Sequence, residues 1–180
     1  KQMKKILVIG AGRSAVTLIK YLLDNSSANN WQVKVADFSI ELADQAVGNH
    51  NNGKAIFFNV TDKKQRESEI ENADIVISIP SSDSSPKSVY EAMFCKKPIV
   101  VTDLEWSHEL LDDAICLERV PVKDAEESYK AIAHLIDDEA YRLKIADNAL
   151  IEAIKYFSYT DNMKEMEMIM LDAVNGVHSD

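Results

Sequence analysis

The sequence predicts a doubly wound α/β domain, a parallel sheet of about six strands with helices on both faces and more helices at the C-terminus. Two observations carry this. Short β-rich runs alternate with segments of helical spacing, and the first run ends in a glycine turn that opens directly into a helix. Strand, helix, strand repeated in this way needs a parallel sheet buried on both faces, because every parallel step requires a crossover. The expected strand order is 3-2-1-4-5-6, with a ligand crevice where the order reverses.

The runs fall at Lys5 to Ile9, Gln32 to Ala36, Ala55 to Phe58, Ile75 to Ile79, Ile99 to Thr102 and Ala114 to Leu117. Between them, Val16, Ile19, Leu22 and Leu23, and later Ile132, Leu135 and Ile136, keep the spacing of a helix with one buried face. From Asp124 the chain reads as almost wholly helical, over Asp124 to Ile136, Glu139 to Tyr156 and Asp161 to Val174. DNSSANN and GNHNNG read as polar surface turns. No linker rich in Pro, Gly or Ser divides the 180 residues and no internal repeat is present, so residues 1–180 are expected to form one domain.

Composition narrows the partners. Lys and Arg number 20 against 30 Asp and Glu, a formal net charge of -10 at pH 7. Such a field repels phosphate backbones and anionic bilayers, so neither nucleic acid nor a membrane is an expected partner. No apolar run approaches the roughly 20 residues that span a bilayer, and KQMKK leads into a strand rather than a signal-peptide core. A cytoplasmic protein is expected, as a monomer or weak homodimer. Cys95 and Cys116 have apolar neighbours and read as small buried hydrophobes. His50, His108, His134 and His178 show no ligand spacing, so no metal is expected. Ser81, Ser82, Ser84 and Ser85 cluster without a nucleophile elbow, and no catalytic residue is assigned. Trp31 and Trp106 read as packing residues, and Met163, Met166 and Met170 as a core stripe.

The first motif is GAGRSA, which follows an apolar strand with Gly10, Gly12 and Ala15 in the G-x-G-x-x-A spacing of a Rossmann-like turn. Gly10 permits the tight turn, Gly12 lets a pyrophosphate approach the backbone, and Ala15 allows close helix-to-strand packing. The helix beginning near Arg13 and Ser14 then aims its amides and positive dipole end at the phosphates. Asp37 ends the next strand 25 residues after Gly12 and can accept hydrogen bonds from both adenosine ribose hydroxyls. It would repel a 2′-phosphate, so NAD is expected over NADP. Gly10, Gly12, Arg13, Ser14, Ala15, Asp37 and Pro80 form the expected cofactor set; the plain alternative is a glycine turn that only joins strand to helix, with Asp37 in solvent.

Residues 3 to about 79, through KKILVIGAGRSA, LIKYLLDN, VKVADFS, VTD and ADIVIS, resemble the NAD(P)-binding start of the saccharopine dehydrogenase and reductase family. Phe38 departs from its NADP users, where an Arg often stands. A second stretch, ADIVISIPSSDSSPKSVYEAMFCKKPIVVTD, with YRLKIADNALIEAIKYFSYTDNM later, resembles the C-terminal donor-binding domain of retaining family 4 glycosyltransferases and spans residues 73 to about 171. Asp83 and Glu91, separated by seven residues, match that family's E-x7-E with Asp for the first Glu. This resemblance implies that Asp83 lies near a donor sugar and that Glu91 accepts hydrogen bonds from the nucleotide ribose. Pro86 fits a first helical turn, which would turn the amides around Lys87 and Ser88 into the crevice. The plain alternative makes Glu91 an ordinary helix residue and Asp83 or Ser85 a cap.

Both resemblances use ENADIVIS as the fourth strand, so the chain reads as a hybrid of a dehydrogenase-like half, 1–79, and a glycosyltransferase-like half, 80–180. Each half would keep part of a nucleotide site without its own substrate domain, and no turnover is expected from the chain alone. The leading ligand is NAD. The alternatives are a sugar nucleotide at Asp83, Ser85, Lys87, Ser88 and Glu91, and a chimeric scaffold that folds without a ligand.

Overall fold

The computed structural model describes residues 2–81, 87–109 and 115–157. Among the described residues the elements follow in chain order: β1 (Lys4–Ile9), α1 (Val16–Asn29), β2 (Trp31–Asp37), α2 (Ile40–Val47), β3 (Gly53–Phe57), α3 (Lys63–Glu71), β4 (Ile75–Ser78), α4 (Lys87–Phe94), β5 (Ile99–Thr102), α5 (Glu105–Glu109), β6 (Glu118–Val120), α6 (Ala125–Asp137) and α7 (Glu139–Phe157). The strands form one sheet in the order β3-β2-β1-β4-β5-β6. Every adjacent pair is parallel, with Val8 opposite Val35 on one side and Ile77 on the other.

Successive strand residues point to opposite faces, so the buried side chains sort into two cores. Ile6, Val8, Val33, Val35, Ile75 and Ile77 pack with Leu18, Ile19 and Leu22 of α1 and with Ile132 and Leu135 of α6. Leu7, Val76, Ile99 and Val101 pack on the other face with Ile70 of α3, Val89 and Met93 of α4, and Ala149 and Ala153 of α7. Helix α7 serves both cores, since its Ile145 belongs to the first. β4 and β5 are buried along their whole length because both faces are covered, and their polar side chains, Ser78 and Thr102, stand only at the carboxyl ends.

Four helices begin with a side-chain cap. Ser39, Asp62 and Asp124 accept from the backbone N–H groups of Leu42, Gln65 and Glu127, and Asp138 accepts from Tyr141 at 2.8 Å. Helix α1 has no such cap and no acid in its first turn.

Two expectations are corrected. DNSSANN is not a turn, since α1 runs on to Asn29. Its polar side chains bond back along the helix, Asn25 to the carbonyl of Tyr21 and Asn29 to that of Asn25, while Ser26 is buried and donates to Leu23. That satisfies the groups that would otherwise favour a turn. The sixth strand is Glu118–Val120, not Ala114 to Leu117. Cys116 and Leu117 are buried, but the ladder with β5 begins only at Glu118. This edge strand holds its polar residues by side-chain contacts, Glu118 accepting from the Tyr141 hydroxyl at 2.8 Å and Arg119 donating to Ser107. The helix expected over Asp161 to Val174, with its methionines, lies outside the described residues, as does His178. Trp31 and Trp106 are buried packing residues. No helix among the described residues is long and apolar enough to cross a membrane.

Burial pushes the Cys116 thiol up to about 11 and raises that of Cys95 as well. At pH 8 the native Cys116 should therefore hold about a hundredfold less thiolate than a free cysteine. Dithionitrobenzoate should react slowly with the native protein and at once with both thiols in guanidinium. Rapid release of both equivalents from folded protein would contradict this packing.

Candidate functional site

The turn after β1 is built by its glycines. Gly10 has φ of +99°, a conformation that side chains resist, and its N–H donates to the Ala36 carbonyl at 2.8 Å. The Ala15 N–H then donates to the Gly12 carbonyl at 2.9 Å and starts α1, while the Ala15 methyl is buried against the sheet. A Cβ placed on Gly12 would meet nothing within 4 Å, because that side of the residue is open.

The carboxylate of Asp37 completes the turn. Its Oδ2 accepts from the Ala11 N–H at 2.6 Å and its Oδ1 from the Ser39 N–H at 2.8 Å. Asp37 thus ties the glycine turn to the start of α2, and the alternative of a side chain lying idle in solvent is corrected. A carboxylate offers about four acceptor directions, so two remain. Across the crevice, the Thr102 hydroxyl donates to the Pro80 carbonyl at 2.8 Å and braces the segment after β4.

These parts enclose a cleft of about 460 Å³ at the carboxyl ends of β1, β2 and β4. It is lined by all of Gly10, Gly12, Arg13, Ser14, Ala15, Asp37 and Pro80, so the residues grouped from the motif are brought together. Ser88 at the start of α4 joins them. The uncapped amide end of α1 and the exposed Arg13 give the cleft a local positive pole within an acidic chain. Arg13 has no ion-pair partner among the described residues, whereas most other cations are paired.

The glycosyltransferase-like set is less united. Asp83 and Ser85 lie outside the described residues. Lys87 is exposed and is not among the lining residues, and neither is Glu91. The Glu91 carboxylate is instead gripped by Arg66 of α3, through Nε and Nη2, each at 2.5 Å. The Arg66 side chain is only 8% exposed, and its third contact is the Val60 carbonyl. This hydrogen-bonded carboxylate raises the Arg66 pKa further, so the guanidinium stays charged. Arg66 is the site-proximal residue that sequence reasoning misses, because α3 is polar apart from Ile70 and shows no periodic apolar face. Among the described residues no group of three or more His, Cys, Asp or Glu side chains could hold a metal ion.

Comparison with known proteins now decides the family. The family model for glycosyl transferases group 1 matches residues 14–151. The chain belongs to this family. A curated relative in Campylobacter jejuni, an N,N'-diacetylbacillosaminyl-diphospho-undecaprenol alpha-1,3-N-acetylgalactosaminyltransferase, is 34% identical over 87 residues, 48% of this chain and 23% of that one. Anabaena Alr3699/HepE in complex with UDP and glucose is 18% identical and superposes with TM-score 0.74 over 93% of this chain and 48% of that chain. Its complex with UDP-glucose gives 17%, 0.75, 94% and 49%. The C-terminal domain of a group 1 family protein, LpcC of Francisella tularensis, gives 20% and 0.69 over 87% of each chain. At these identities the structural likeness is one of fold. This chain spans about half the length of the Anabaena chains, and its matched segment covers about a quarter of the Campylobacter enzyme.

The group 1 match takes in residues 73–79, where the two resemblances overlap, and most of the segment read as dehydrogenase-like. That segment is therefore assigned to the same family as the rest, and the saccharopine dehydrogenase reading is corrected. A G-x-G-x-x-A turn between strand and helix answers to backbone geometry that both families need, so it does not separate them.

The Arg66–Glu91 pair should be worth measuring as a structural clasp. Glu91→Ala leaves a nearly buried guanidinium without its partner and should cost about 3 kcal/mol in guanidinium unfolding. The double variant Arg66→Met, Glu91→Leu should recover most of that loss. A Glu91→Ala protein as stable as the parent would mean that the clasp holds nothing.

Proposed function

We propose that this chain is the nucleotide-binding domain of a glycosyl transferase and that a nucleoside diphosphate sugar sits in the cleft at the ends of β1, β2 and β4. The observation that carries the reading is the cleft's chemistry. An open Gly12, an uncapped α1 and Arg13 offer backbone N–H groups and positive charge at one spot, which suits a diphosphate. The HepE complexes with UDP and UDP-glucose, in a chain of the same fold, and family membership support it.

In this reading the ribose hydroxyls donate to the two free acceptor directions of Asp37. The sugar then extends toward Pro80 and Ser88, where Asp83 and Ser85 follow in the chain. Glu91 is not among the lining residues of the cleft and its carboxylate is held by Arg66, so we assign it to holding α3 against α4. A second reading, NAD in the same cleft, is favoured by one observation, the Asp37 carboxylate beside the glycine turn.

Thermal shift with UDP-glucose, GDP-mannose, NAD and NADP separates the readings. A sugar nucleotide at a hundred times its Kd should add about 2.7 kcal/mol, which raises Tm by about 5 to 10 °C. Gly12→Val should keep the unliganded Tm, since its side chain enters open space, and should abolish the shift. A larger shift with NAD than with any sugar nucleotide would move the assignment to the dinucleotide, with NADP weaker than NAD. No shift with any of them would remove both.

A further inference from the structure

Phe38 follows Asp37 directly, lines the cleft and leaves 69% of its surface exposed. Phe57 stands opposite Asp37 in the β2–β3 register, and its ring lies against that of Phe38 with centroids 5.5 Å apart. Val60, another lining residue, is 51% exposed. Three large apolar side chains thus gather in the open at one rim of the cleft, although Phe58 between them is buried. Exposed apolar residues scattered singly need no account, but a group at the mouth of a cleft does.

We propose that Phe38, backed by Phe57, is the stacking shelf for the base of the bound nucleotide. This rests on the proposal that the cleft holds a nucleotide. The remaining acceptor directions of Asp37 fix where a ribose can sit, and the next side chain along the rim is the Phe38 ring. A base carried by that ribose falls on an aromatic face already held at a set tilt by a second ring. Stacking on an aromatic face is tolerant of base identity, because every base has a π-face. The shelf residues Phe38, Phe57 and Val60 offer no side-chain donor or acceptor to a base edge. The site therefore selects through the diphosphate and ribose, and distinguishes uracil from adenine weakly.

Calorimetric titration of the whole chain with UDP, ADP and inorganic pyrophosphate tests this, using the parent, Phe38→Ala and Phe38→Trp. Phe38 is exposed, so both variants should keep the unliganded Tm. Phe38→Ala should weaken UDP and ADP about tenfold and leave pyrophosphate unchanged, while Phe38→Trp should bind both nucleotides as the parent does. UDP and ADP should differ by less than about fivefold in the parent. Unchanged nucleotide affinity in Phe38→Ala, or an equal loss for pyrophosphate, would overturn the shelf while leaving the cleft assignment intact. Failure of UDP and ADP to bind the parent at all would overturn the cleft assignment and the shelf together.

Discussion

Parallel pairing constrains everything else in this molecule, because each step across the sheet requires a crossover and right-handed crossovers dictate which face a helix covers. Moving from β1 through β2 to β3 sets α1 and α2 on one face. The return to β4 reverses direction and sets α3 and α4 on the other. Between β1 and β4 the connecting segments leave in opposite senses, so among the described residues no helix closes the carboxyl end of the sheet there. The cleft is the space this leaves, and its walls come from both sides of the reversal, the glycine turn and Asp37 on one and Pro80 and Ser88 on the other.

Charge is arranged around that space against the average of the chain. The formal charge of -10 would keep a diphosphate away if it were spread evenly. Interactions between exposed charges fade over about 10 Å at ordinary ionic strength, so the local arrangement decides. Two carboxylates near the cleft are kept from opposing an anion. Asp37 is spent partly on backbone N–H groups of its own turn, and Glu91 is neutralised by Arg66. Arg13 and the bare end of α1 are left to act on whatever enters.

What could be read in the sequence follows from how local the cause is. β1, β4 and β5 announce themselves as apolar runs because their central residues are buried on both faces, and β2 through the alternation of Trp31, Val33 and Val35 with Gln32 and Lys34. The glycine turn and Asp37 are legible because strand, turn and helix entry are written within a few residues. β6 was displaced by three or four residues because burial and hydrogen bonding part company at this edge, where buried Cys116 and Leu117 precede a ladder made by Glu118 and Arg119. The contact between Glu91 and Arg66 is out of the sequence's reach. Arg66 lies 25 residues earlier on a helix with no apolar stripe, and only the packing of α3 on α4 brings them together.

The glycine turn also shows why a motif with a real backbone role can still suggest the wrong family. A positive φ at Gly10 and an open Gly12 belong to a strand that turns sharply into a helix with its backbone exposed at the turn, whatever approaches it. The turn therefore leaves backbone open to a ligand and is silent about which ligand that is. That information has to come from the walls beyond it, the acceptor directions left on Asp37, the aromatic rim at Phe38 and the segment leading from Pro80 into α4. Those walls are assembled from three different strand ends, so they become readable only when the topology has brought them together.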